Sequence, residues 1–331
     1  MSGLNVAVLG ATGAVGRTML QVLAERKLPV DRLTLLASPR SAGRTVQWGG
    51  REWTIGVAEP GSFRGVDYAL FSAGGARSKE WGPRAAAEGA LVVDNSSAWR
   101  MDAQVPLVVP EVNAEAARDA PKGIIANPNC STIQMVVALE AIRRAAGLTR
   151  VIATTYQSAS GAGETGRDAL ERELAAAGSE RDGDSPFTRR IAGNVVPQIG
   201  PFDGEGWTEE ERKMTNETRK ILSLPDLPVA ATCVRVPVAV GHSVQVTVET
   251  ERELSVEEAR RALAAFPGVR ASAGAEDFPT PLETAGTDEV YVGRIRRDPF
   301  TPRTLHLWVV ADNLRKGAAT NAVQIVESLA R

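Results

Sequence analysis

The sequence predicts an α/β protein of two domains, the first built on a parallel sheet flanked by helices, the second α+β, with the last helix returning to the first. Three observations carry this. Short apolar runs alternate with helical periodicities up to about residue 130; the strands beyond it alternate in polarity; and a glycine-rich turn joins the first strand to the first helix.

Composition sets the frame. With 331 residues, 43% of them hydrophobic and 24% charged, the chain has material for a large core and no sign of disorder. That length fits two domains. Forty acidic against thirty-eight basic side chains leave a net charge of −2, without the basic excess that phosphate-backbone binding needs, so no nucleic-acid partner is expected. No apolar run approaches the roughly 20 residues of a membrane span. Met1-Ser2-Gly3 leads into a short apolar run with no basic segment or long hydrophobic stretch, and a cytoplasmic protein is expected. Two cysteines make no disulfide framework, so each is read singly. No metal site is expected.

Leu4–Leu9 reads as a strand ending in glycine, and Val15, Met19, Val22 and Leu23 fall at helical spacing up to Glu25. Further strands are predicted at Leu33–Ala37, Tyr68–Phe71, Leu91–Val93 and Gly123–Ala126, with a helical stretch at Arg84–Glu88. Helices then follow at Thr132–Ala146, Glu164–Ala177 and Arg212–Leu222, and strands at Val151–Gln157, Ala230–Val236, Val244–Thr250, Val290–Arg294 and Thr304–Val310. Polar, Gly and Pro residues gather in loops at Gly178–Asp184 and Pro201–Gly206. The last helix is predicted from Gly317 to Ala330. The expected domains are 1–129, completed by 316–331, and 130–315.

Gly10-Ala-Thr-Gly13-Ala-Val-Gly16 stands between the first strand and the first helix, where backbone N–H groups face a dinucleotide pyrophosphate in a Rossmann-type domain. Its G-x-x-G-x-x-G spacing departs from the commoner G-x-G-x-x-G, which argues for a variant of that fold. Thr12, Ala14 and Val15 fall within the same turn. An NAD site usually carries a carboxylate near the end of the second strand. Here no acidic residue occurs between Asp31 and Glu52, and the strand runs into Ser38-Pro-Arg40-Ser41-Ala-Gly-Arg44. Hydroxyls and a guanidinium suit a 2′-phosphate, which points to NADP. The alternative is that Arg40 and Arg44 are solvated loop charges.

Cys130 follows Asn127-Pro-Asn129 and opens a helix of apolar period. The positive helix end stabilises a thiolate and draws its pKa down from about 8.5, making Cys130 a candidate nucleophile. Cys233, inside a strand-like run, reads as packing. Of the two histidines, His306 lies on one face of a strand, while His242 sits at a strand mouth and is the better candidate partner for the cysteine.

Taken together, Gly10–Gly16, Leu36–Gly43, Asp94–Arg100, Pro128–Thr132, Tyr156–Gly163, Cys233–Pro237, Gly241-His242 and Asp312–Ala318 closely resemble the aspartate-semialdehyde dehydrogenases from end to end. The resemblance implies reversible conversion of L-aspartyl-4-phosphate and NADPH into aspartate semialdehyde, NADP and phosphate, an early step toward lysine, threonine, methionine and isoleucine. It implies Cys130 as the thioester-forming nucleophile, His242 as acid/base and Gln157 as the amide beside the thiol. Arg100 and Lys220 match a phosphate-binding pair, Arg235 the grip on the substrate carboxylate and Glu217 the partner of its amine, with Asn129 also on the substrate side. Ser160 and Gly161 would lie by the nicotinamide and Gln324 would touch the cofactor from the last helix. A homodimer through the second domain is likewise implied.

Glu217 and Lys220, three apart on one predicted helix, project from one face and suit opposite charges of one ligand, or a solvated ion pair. N–H groups at the start of the Cys130 helix are the expected oxyanion donors. Two other readings stay open: an N-acetylglutamyl-phosphate reductase-like enzyme, against which a carboxylate for a free ammonium would argue, and a redox-sensing NADP-binding protein without turnover.

Overall fold

The computed structural model describes residues 3–330 apart from 177 and 179. The end of the helix predicted to Ala177, position 179 of the predicted loop and position 331 lie outside the described residues. The chain forms two compact units, 1–128 with 318–331, and 129–317.

The first unit contains β1 (Leu4–Leu9), α1 (Ala14–Glu25), β2 (Val30–Ala37), β3 (Thr45–Trp48), β4 (Arg51–Val57), β5 (Tyr68–Phe71), α2 (Gly75–Ala87), β6 (Leu91–Asp94), α3 (Pro110–Asn113) and β7 (Ile124–Ala126). The sheet order is β3-β4-β2-β1-β5-β6-β7. Central β1 pairs in parallel with β2 and β5. It is covered on both faces, so Val6–Leu9 is a continuous buried run where a one-sided strand would alternate. The amphipathic α1 buries Met19, Leu20, Val22 and Leu23.

One edge differs from the purely parallel expectation. Between 45 and 57, where no element is predicted, β3 and β4 form an antiparallel hairpin with Trp48 opposite Arg51. Its two-residue loop is Gly49-Gly50, at φ +60° and +75°, a backbone that glycine adopts without steric cost. The helix predicted at Arg84–Glu88 begins earlier, at Gly75.

The second unit contains α4 (Cys130–Ala146), β8 (Arg150–Gln157), α5 (Gly163–Ala175), α6 (Glu209–Leu222), β9 (Val229–Arg235), β10 (His242–Glu249), α7 (Val256–Ala264), β11 (Val269–Ala271), α8 (Pro281–Thr284), β12 (Val290–Arg297) and β13 (Thr304–Ala311). Its mixed sheet runs β11-β12-β13-β10-β8-β9. On β10, Val244, Val246 and Val248 are buried while Gln245, Thr247 and Glu249 are half-buried, which is the predicted alternation. After β13 the chain returns to the first unit as α9 (Thr320–Ala330), which packs on α1 and is tied to it by Arg26–Glu327 at 2.6 Å.

Capping fixes two helices that matter for function. Thr208 and Glu211 form a reciprocal capping box, so α6 starts at Glu209, three residues before the predicted Arg212, and Glu210 falls in its first turn. Asn129 caps α4, accepting the N–H groups of Ser131 and Thr132 at 2.9 and 3.2 Å.

The loop after α5 hangs on one carboxylate. Glu173 is buried and accepts N–H bonds from Asp182, Ile191 and Ala192 at 3.1, 2.7 and 3.0 Å. Glu173→Ala is expected to lower the unfolding free energy by about 3 kcal/mol, because buried donors to a charged acceptor lose their partner. Urea unfolding measures it; a loss below about 1 kcal/mol would show that the loop repacks without this carboxylate.

Candidate active site

In the first unit the glycine turn is tight for steric reasons. A Cβ on Gly10, whose φ is +92°, would lie 2.3 Å from the Ser72 carbonyl oxygen, and one on Gly16 would lie 2.2 Å from that of Gly10. Gly13 is the N-cap of α1 and supplies no side chain to its first N–H groups, which include those of Ala14 and Val15; the first turn carries no acidic residue. Those donors suit a diphosphate. Beside the turn, Thr12 Oγ1 lies 3.4 Å from Ser41 Oγ, with Ser38 and Arg40 exposed around it and no carboxylate at the end of β2. This chemistry fits a nucleotide with a 2′-phosphate. Gln324 on α9 donates to Glu111 Oε1 at 2.9 Å. Arg100, also in this unit and buried, is braced by the carbonyls of Asn127 and Asn95, both at 2.9 Å.

In the second unit Cys130 is the first residue of α4 and is half-buried, as its sequence context predicts. Cys233 is fully buried on β9, and burial pushes its thiol pKa upward. Of the expected oxyanion donors at the start of α4, three are already engaged. Ser131 and Thr132 N–H are held by Asn129 Oδ1, and Ile133 N–H by the Asn129 carbonyl, so these first-turn groups already have acceptors.

Around this turn two carboxylates converge on Asn129. Its backbone N–H donates to Glu217 Oε2 at 2.6 Å, and its Nδ2 to Glu210 Oε1 at 2.9 Å. The same Glu210 oxygen accepts from Gln157 Nε2 at 3.0 Å, while Gln157 also reaches Thr155 Oγ1 at 3.3 Å. Glu210 Oε2 lies 3.8 Å from Lys213 Nζ. Glu210 and Lys213 were therefore missed in the sequence, although they repeat the Glu-x-x-Lys spacing of Glu217 and Lys220 seven residues earlier. Lys220 is half-buried on the same helix, and Glu217 braces the turn before Cys130.

Arg235 ends β9, buried, its Nη1 donating to the Ser158 carbonyl at 2.7 Å and its guanidinium 5.6 Å from the Phe187 ring centroid. Burial lowers its pKa, while the negative charges available to Glu210 and Cys130 oppose that shift, which marks the three as electrostatic neighbours. His242 opens β10 with no solvent exposure, and burial followed by the Arg235 charge holds its pKa well below the usual histidine range. Its Nδ1 accepts the Ser158 N–H at 3.1 Å. Ser160 is buried, and Gly161 lies against both Arg235 and His242: a Cβ there would sit 2.5 Å from Arg235 Nη1 and 3.1 Å from His242 Nε2.

A thiol at a helix start, a buried guanidinium, a neutral imidazole and a carboxylate–amide pair form a site for acyl transfer to sulfur. The comparisons agree. Residues 5–120 match the family model of the semialdehyde dehydrogenase NAD binding domain, and 139–316 that of the semialdehyde dehydrogenase dimerisation domain. The chain is thus an oxidoreductase of the semialdehyde dehydrogenase class. It is 52% identical to the aspartate-semialdehyde dehydrogenase of Aquifex aeolicus over 99% of this chain and 98% of that one, and 50% identical to that of Bacillus subtilis over 99% and 97%. The crystal structure of aspartate semialdehyde dehydrogenase II from Vibrio cholerae, 49% identical, superposes with a TM-score of 0.96 over 100% of this chain and 99% of that one; a second structure of that enzyme is complexed with ASA. The chain belongs to the aspartate-semialdehyde dehydrogenases.

Proposed function

We propose that the chain catalyses the reversible, NADP-dependent reductive dephosphorylation of L-aspartyl-4-phosphate to aspartate semialdehyde through a thioester on Cys130. The observation that carries this reading is the grouping of Cys130, Gln157, Glu210, Arg235 and His242 within one unit. Arg235 binds the substrate carboxylate bidentately, and Glu210, already facing Gln157 and Asn129, accepts its ammonium. Cys130 sulfur bonds to the acyl carbon as the bond from that carbon to the phosphate oxygen breaks, its electron pair leaving with phosphate. Bound at the glycine turn, NADPH supplies the hydride that reduces the thioester. Collapse of the resulting tetrahedral adduct breaks the carbon–sulfur bond and returns the thiolate with free aldehyde.

Gly10, Thr12, Gly13, Ala14, Val15, Ser38, Arg40, Ser41 and Gln324 serve the nucleotide, with Ser160 and Gly161 on the nicotinamide side. Arg100 serves phosphate. Two copies associate through the sheet face that carries Tyr156 and Trp308, whose ring centroids are 5.4 Å apart, and the enzyme works in the cytoplasm.

The test is the reverse reaction, aspartate semialdehyde with NADP, read as phosphate-dependent absorbance of the reduced cofactor. N-acetylglutamate semialdehyde is the comparison substrate, and preference for it would refute the assignment. Arg100→Ala is expected to raise KM for phosphate about tenfold or more while KM for NADP stays within about twofold. Equal rises in both would count against its role.

A further inference from the structure

Asn321, Asn127 and Asn95, all in the first unit, form a chain of side-chain amides whose direction is fixed at one end. On α9, Asn321 Nδ2 donates to the Val108 carbonyl at 2.9 Å and to Asn127 Oδ1 at 2.7 Å. A carbonyl can only accept, so the nitrogen of Asn321 faces Val108 and Asn127 answers with its oxygen. Asn127 Nδ2 then points the other way, to Asn95 Oδ1 at 2.5 Å, with the Ala318 carbonyl beside it at 3.4 Å. The orientation passes on once more. Asn95 presents its own Nδ2 outward, a donor with no acceptor among the described residues.

Asn127 is fully buried, whereas Asn95 is half-buried just past the carboxyl end of β6, the end of an open parallel sheet at which ligands bind. Both backbones are tied down: Asn95 N–H donates to the Phe71 carbonyl at 2.9 Å and Asn127 N–H to the Asp94 carbonyl at 2.8 Å. The buried carboxylate of Asp94 is taken by the Ser78 hydroxyl and by the N–H and hydroxyl of Ser96, so it does not draw the Asn95 amide inward. The same two asparagines hold Arg100, whose Nη2 donates to the Asn95 carbonyl and Nε to the Asn127 carbonyl, both at 2.9 Å. A guanidinium and a directed amide donor are thus set side by side by one pair of residues.

We propose that Asn95 Nδ2 donates to the tetrahedral oxyanion that Arg100 serves, inorganic phosphate in one direction and the phosphoryl group of the substrate in the other, with Asn127 and Asn321 as positioning residues. The inference rests on the phosphate reading of Arg100 above and deepens it. A carboxamide on the surface turns about its last bond, and water accepts from one end or donates to the other. Toward an anion only the nitrogen end is favourable, because the oxygen repels it. The relay removes that choice: the donor already faces outward, so nothing has to reorient when the anion arrives. Several phosphate oxygens can be met at once by a guanidinium and an amide from one loop. No bond is made or broken at Asn95, and its effect belongs to binding.

Kinetics of the full-length enzyme in the phosphate-consuming direction test this. Asn95→Ala is expected to raise KM for phosphate about tenfold, with kcat and KM for NADP within about twofold. Asn95→Asp keeps the shape and still accepts from Asn127, but turns a negative acceptor toward the anion, and KM for phosphate should rise about 10²-fold. An aspartate variant that binds phosphate no worse than the alanine one would show that Asn95 only packs. Asn321→Asp removes the donors at the head of the relay; Asn127 then turns its nitrogen to the new carboxylate, and Asn95 its oxygen outward. KM for phosphate is expected to rise about tenfold in this variant, and by less than about twofold when the change is added to Asn95→Ala. Additive losses would refute the relay. Asn321 is buried, so thermal unfolding is followed alongside, and if its variant does not fold the two Asn95 variants decide alone. A rise in KM for NADP in place of phosphate would put the donor on the cofactor and overturn the inference. Phosphate binding weakened by Arg100→Ala but by neither Asn95 variant defeats this inference alone, whereas a phosphate KM unmoved by Arg100→Ala defeats the reading it rests on.

Discussion

Cys130→Ala is expected to abolish turnover, lowering kcat by about 10⁴-fold or more, while the affinity for NADPH stays within about twofold. The size of the loss follows from the covalent route. Without sulfur no carbon–sulfur bond forms, and hydride would have to reduce an acyl phosphate directly, in a site built to hold a thioester. The cofactor term is spared because Gly10–Gly16 and Ser38–Ser41 belong to the first unit, whose turn is held by Gly10, Gly16 and Ser72. Stopped assays give the first quantity and quenching of protein fluorescence by NADPH the second.

The chain supplies its own control. A thiol-selective reagent should modify half-buried Cys130 and spare Cys233, which has no exposed surface and whose thiol burial keeps protonated. One equivalent of label should be taken up with complete loss of activity in the parent, and none in Cys130→Ala. An alanine variant within tenfold of the parent would remove the thioester from the mechanism.

What was legible in the sequence is what local physics determines. The glycine turn and Cys130 each lie at a strand-to-helix junction, where the apolar period changes within a few residues, and both elements begin within a residue or two of expectation. Gly49-Gly50 carried a hairpin signal of the same local kind. Glu210 and Glu217 show the limit. They stand seven apart, two turns of α6, and so share a face; each has a lysine three residues on. Helical periodicity cannot choose between them, and only the approach of Gln157 at 3.0 Å singles out Glu210. Which N–H groups at the start of α4 are engaged is not legible for a subtler reason: a free helix start and one capped by the preceding Asn129 look alike until the cap's hydrogen bonds are known.

Gly161→Ala is the second large effect expected. Its added methyl would lie 2.5 Å from Arg235 Nη1 and 3.1 Å from Cε1 and Nε2 of His242, closer than carbon tolerates in the first case and tighter than ordinary contact in the second. A guanidinium tip usually swings aside. Here it is buried, bonded to the Ser158 carbonyl at 2.7 Å and set against Phe187, while the imidazole is pinned by the same residue's N–H. Both must shift by a substantial fraction of an ångström, enough for about a 10²-fold fall in kcat/KM. Stability should change little, since Gly161 itself is exposed and its φ lies outside the left-handed region. The split between constants tells which neighbour yields. A displaced Arg235 raises KM for the semialdehyde, because the carboxylate grip is a binding term; a displaced His242 lowers kcat, because its ring serves the chemical step. We expect both to move, and an alanine variant within twofold of the parent in each would mean that the tight approach of Gly161 has no part in the chemistry.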